Sequence, residues 1–158
     1  MRFLHSKLDA DRLLNASIEM AKKLLERLGG FLPFGIVITV QGGKEVKVAV
    51  DDTDLKDPQA IADLLRQKLR EGCAKLEFRC VALVRNITRI KDDGRESTEI
   101  QVTVEPMTDE GVTCYLPFQL SPQGVVDAGP LYATKPVERF YPEDLQPPAE
   151  TDRSGRPL

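Results

Sequence analysis

Apolar residues recur with helical spacing over residues 8–28. Leu14, Ile18, Ala21, Leu25 and Leu28 follow one another at steps of 4, 3, 4 and 3, and Leu13, Met20 and Leu24 widen the stripe. Lys22, Lys23, Glu26 and Arg27 lie off it, and Gly29-Gly30 supplies the stop. This is a helix packed on a sheet rather than a dimerising coiled coil, which sustains its heptads over about three or four repeats. Residues 34–50 then read as a β-hairpin around Gly42-Gly43. A two-residue loop would send Phe34/Ile36/Ile38/Val40 and Val46/Val48/Val50 to opposite faces of the sheet. A three-residue loop pairs Val40 with Val46 and Ile38 with Val48, and burial of one face favours it.

Asp57-Pro58 opens a second helix, with Asp57 as N-cap and Pro58 in the first turn. Ile61, Leu64, Leu65, Leu69 and Cys73 form its buried stripe, and Gly72 lies where it should stop. Cys73 in that stripe is a small core hydrophobe rather than a nucleophile. A meander follows. A two-residue turn at Asp93-Gly94 pairs Leu83 with Val104, Arg85 with Val102 and Ile87 with Ile100. A three-residue turn at Asp109-Glu110-Gly111 pairs Val104 with Leu116 and Val102 with Phe118. The opposite face carries Ala82, Val84, Asn86 and Thr88, then Glu99, Gln101, Thr103 and Glu105, then Thr113 and Tyr115, and is expected to be mostly wet. Beyond Ser121-Pro122 the apolar residues lose their period. This reads as an irregular strap with one short strand near 131–134, and 142–158 as a Pro-rich disordered tail.

The expected fold is α+β: a two-layer sandwich in the order helix-hairpin-helix-meander. About five antiparallel strands carry two helices on one face, in a single domain over 1–141. The profilin-like and roadblock-like families use a similar order of elements and serve mainly as adaptors, an analogy of fold and not of function. The run Phe31-Leu32-Pro33-Phe34-Gly35, an apolar strand, Gly42-Gly43 and a Val-rich return strand resembles the start of small bacterial cytosolic proteins of uncharacterised activity. The resemblance implies no catalytic residue.

Charge and cysteine usage narrow the partners. Lys plus Arg total 22 against 25 Asp plus Glu, a net charge of -3, and the basic residues are scattered with no run beyond Lys22-Lys23. Nucleic acid is therefore not the expected partner, because phosphate neutralisation needs basic residues concentrated on one face. No apolar stretch approaches the roughly 20 residues that span a bilayer, and no signal-peptide apolar core follows Met1, so no membrane partner is expected. Three cysteines, Cys73, Cys80 and Cys114, without a C-x-x-C, fit a reduced cytoplasmic chain.

Few constellations suggest chemistry. Asp51, Asp52, Asp54 and Asp57 are the densest carboxylates, but they lack the alternation of a calcium loop and read as a solvated cap, so no metal is expected. His5 is the single histidine, in a terminal segment that holds a general base poorly. None of the common nucleotide, hydrolase or metalloprotease motifs occurs, and neither catalytic residues nor cofactors are assigned. Arg85 breaks the pattern of its strand. Either the strand has a bulge, or Arg85 snorkels past the sheet edge, or it is a buried or groove-lining guanidinium that awaits a carboxylate from this chain or a partner. Phe31-Leu32-Pro33-Phe34 and Tyr115-Leu116-Pro117-Phe118 nearly repeat one another and would form one exposed apolar patch if their strands lay side by side.

The sequence thus points to a non-enzymatic protein-interaction module: an adaptor, an immunity-type protein or a complex subunit. It would bind a protein partner or a second copy of itself through Phe31, Phe34, Tyr115, Phe118 and Arg85, with the first helix as homodimer candidate. The alternative is a small-ligand binder or enzyme with an anion-reading pocket near Arg85.

Overall fold

A computed structural model describes residues 2–50 and 54–143, with side chains from Ser6 onward. Within them run α1 (Arg2–Leu28), β1 (Phe34–Thr39), β2 (Glu45–Val48), α2 (Pro58–Ala74), β3 (Phe78–Ile90), β4 (Glu96–Pro106), β5 (Val112–Leu120), β6 (Val126–Ala128) and β7 (Tyr132–Thr134). The strands form one antiparallel sheet in the order β2-β1-β3-β4-β5-β6, and β7 pairs with another stretch of β5. The α+β class expected from the sequence holds, with two short strands more than the expected five. The predicted tail lies outside the described residues, apart from Pro142 and Glu143.

The helices do not share a face. α1 packs through Leu13, Ala21 and Leu25 on Phe34, Ile36, Ile38, Ala82, Val84, Ile100, Val102 and Val104. α2 packs through Ile61, Leu65, Leu69 and Cys73 on Val37, Val81 and Leu83, from the other side. The expected two-layer sandwich is therefore three layers deep over β1 and β3. The cause is visible in β1, where Phe34, Gly35, Ile36, Val37 and Ile38 are all buried. A strand covered on both sides has no wet face for an alternation argument to read.

The same cause moves the registers. Val37 pairs with Val46 and Gly35 with Val48. Thr39 N donates to Lys44 O at 2.9 Å, so residues 40–43 form the loop instead of the expected three-residue turn. Val46 and Val48 consequently share the α2 side of the sheet with Val37. In the next hairpin Arg85 pairs with Gln101, Leu83 with Thr103 and Ile87 with Glu99, one residue away from the expected register. Lys91 N donates to Arg95 O at 2.8 Å, and Gly94 at φ +82° closes a three-residue loop where two residues were expected. That single step carries Arg85 off the α1 face. In β4–β5, Val104 pairs with Val112 and not Leu116, an even shift that keeps every residue on its expected face.

Asp57 caps α2 as expected, its Oδ1 accepting from Gln59 N at 3.3 Å. The helix does not stop at Gly72. A Cβ there would lie 2.1 Å from the Phe78 ring, so the glycine admits that ring and the helix runs on to Ala74. At the same end of the sheet but on the opposite face, Asp9 of α1 takes a two-pronged bond from Arg79, at 2.7 and 3.0 Å.

Past β7 the chain straps the α2 side. Phe140 and Tyr141 are buried beside α2. Glu105, 3 % exposed, accepts from Phe140 N at 2.6 Å and Tyr141 N at 3.1 Å, with the Arg139 guanidinium at 3.5 Å. Arg66 of α2 pairs with Glu138, and Tyr141 Oη donates to Phe78 O at 2.9 Å.

Candidate interaction surface

α1 ends where Gly29, at φ +77°, takes the left-handed conformation that closes a helix. The chain then turns through Phe31 and Pro33 into β1. This turn, the end of α1, β2 and the start of α2 enclose a groove of about 330 Å³ lined by Leu24, Leu28, Phe31, Leu32, Phe34, Lys47, Val50, Leu55 and Ile61. Its rim is apolar and open: Leu28 is 71 % exposed and Leu32 47 %. Phe31 and Phe34 meet with tilted rings 5.6 Å apart, and Lys47 Nζ lies 5.3 Å over the Phe34 ring.

The second aromatic motif lies elsewhere. β1 and β5 are separated by β3 and β4, so Phe31 and Phe34 do not join Tyr115 and Phe118 in one patch. Phe118 is buried among the α1-side residues and borders a more polar cavity of about 420 Å³ with Lys91, Glu96, Ser97 and Asp127. Tyr115 faces the other side, stacked on Tyr132 with ring centres 4.9 Å apart. Arg85 is half-buried on the α2 side, where its guanidinium donates to the side-chain carbonyl of Gln59 at 3.2 Å.

Sequence reasoning placed Glu99 and Glu105 on a wet face, and both are buried. Glu99 accepts from Tyr132 Oη and from Ser97 Oγ at 3.0 Å, with Arg89 at 3.6 Å. The Arg89 guanidinium also lies 5.3 Å over Tyr132 and 5.7 Å over Tyr115. Burial and the neighbouring Glu99 carboxylate push the Tyr132 hydroxyl up to about 12, so it donates to Glu99 at neutral pH. The available signal was the strap itself, whose Tyr132, Phe140 and Tyr141 need a surface to cover.

The cysteines are buried thiols, as the stripe position of Cys73 implied. Burial pushes Cys73 up to about 12 and raises Cys80 and Cys114 as well, which holds them in the protonated, non-nucleophilic form. Among the described residues no group of three side chains is placed to hold a metal ion, and no helix is long and apolar enough to cross a membrane. Asp51 and Asp52 of the acidic cluster lie outside the described residues, as does the His5 side chain. No family model, no curated protein and no solved structure matches this chain.

Proposed function

We propose that this chain is a non-enzymatic protein-interaction module that takes an apolar segment of a partner protein into the groove between Leu28 and Phe31. The observation that carries the reading is the open apolar rim, with Leu28 and Leu32 exposed beside partly buried Phe31. Lys47 at the wall supplies a positive charge for a carboxylate flanking that segment. Leu28→Glu places a charge on the rim at a site that contributes little to the core, so its melting temperature should match wild type. Immobilised wild-type chain should retain a partner from native lysate that Leu28→Glu and Phe31→Glu both lose. Equal retention by all three excludes the groove.

The anion reading keeps one supporting observation. Among the described residues the half-buried Arg85 guanidinium is bonded to a neutral amide and to no carboxylate. A carboxylate or phosphate that raises the melting temperature of wild type but not of Arg85→Met would establish it.

A further inference from the structure

We infer that β2 is a self-complementary dimer edge: two copies of the chain pair β2 with β2 in antiparallel fashion about a two-fold axis at Val46, making one continuous sheet. β2 terminates the strand order, with Glu45, Val46 and Lys47 exposed. Its hydrogen-bond phase follows from the hairpin. Thr39 and Lys44 are bonded to each other, and bonded pairs alternate along an antiparallel ladder. Val46 and Val48 therefore turn their backbone groups to β1. Glu45 and Lys47 turn theirs outward, unpaired among the described residues, in the way that recruits a further strand.

A two-fold axis must match outward groups to outward groups, which restricts it to Glu45, Val46 or Lys47. An axis at Glu45 sets two carboxylates opposite each other, and one at Lys47 sets two ammonium groups opposite each other. An axis at Val46 sets Glu45 opposite Lys47 of the second copy, twice, on the α1 side of the sheet. Val46 then meets its own counterpart on the α2 side, as a close non-bonded pair. Both charges are already presented there: Arg12 holds Glu45 at 3.0 Å, and Lys47 lies over the Phe34 ring. A strand of four residues makes a small interface, so the dimer is weak and concentration-dependent. The edge shares Lys47 with the groove, but the two are tested separately, because Leu28→Glu leaves the outward backbone groups of β2 and both charges in place.

The test is sedimentation equilibrium on the full chain. Wild type should dimerise, and Glu45→Lys or Lys47→Glu alone should weaken the dimer by about tenfold or more, since each sets like charges opposite each other twice. The two variants mixed in equal amounts should dimerise again, because each then presents the charge the other lacks. That recovery also shows that both variants are folded. In a second measurement, Val46→Cys should cross-link to itself under mild oxidation. A wild type that stays monomeric overturns the inference. So does a dimer that neither variant weakens, a mixture that does not recover, or a Val46→Cys chain that stays uncross-linked.

Discussion

The two faces of the sheet hold their covers by different physics. Under α1 lies one continuous apolar surface from Phe34 to Phe118, and the helix meets it with Leu13, Ala21 and Leu25. Under α2 and the strap, the apolar part stops at Val81 and Leu83. Beyond it Thr103, Glu105, Thr113 and Glu99 are buried as polar groups. Thr103 and Thr113 share a hydrogen bond of 3.0 Å, and Thr113 also accepts from Val137 N at 3.0 Å. A helix presents a periodic stripe and is held by area. An irregular strap has no stripe, and its own backbone N–H groups must be satisfied where it lies. A buried carboxylate does both: it fixes the strap in place and removes two orphan donors.

The sharpest test of that contrast pairs one truncation from each side. Leu13→Ala should cost about 3 kcal/mol in urea denaturation, spread over the whole domain, because it empties part of a close-packed core. Glu105→Ala should cost about 2 kcal/mol and act locally, with the Phe140 and Tyr141 amides exchanging faster while those of β1 and β3 follow only the global stability. Uniform exchange in both variants would erase the distinction between area and direction.

Alkali should act next. Cys80 under α1 and Cys73 under α2 have raised thiol values, from 9.0 to about 12 for Cys73, so the folded state binds protons that the unfolded chain releases. Their stabilising contribution is complete below about pH 9 and is lost as pH climbs through the folded value. The urea midpoint should therefore fall steadily above about pH 9, and Cys73→Ala should flatten the fall. The smallest effect has the opposite sign. Ser17 is fully buried in the α1 interface with a hydroxyl that finds no partner among the described residues, so Ser17→Ala should stabilise the domain by about 1 kcal/mol, read as a higher melting temperature.

The same contrast explains what the sequence could tell. α2 was legible to the residue at its start, because Asp57 and Pro58 act locally. The end of α1 was equally plain at Gly29. Registers were not, because the hydrophobic pattern selects a register only where one face is wet, and β1 and β3 are covered on both. The one-residue slip at Gly94 moved Arg85 and left Glu99 and Glu105 on the side the strap covers. Of the candidate surface, the Phe31-Phe34 turn stood out in the sequence because Tyr115-Leu116-Pro117-Phe118 nearly repeats it. The separation of that turn from Tyr115 and Phe118 depended on strand order, which carries no local signal.

The strap also sets an order of events during synthesis. Every residue that α1 needs for its partner surface on β1, β3, β4 and β5 has been made once Leu120 emerges. Tyr141 bonds Phe78, 63 positions back along the chain, and Phe140 closes over α2 at the same late stage. A nascent chain therefore carries a face complete but for Val126 and an unfinished one together. Until the ribosome delivers residues 138–141, Val81, Leu83 and the inner stripe of α2 lack part of their cover, and that interval is when the molecule is most open to aggregation.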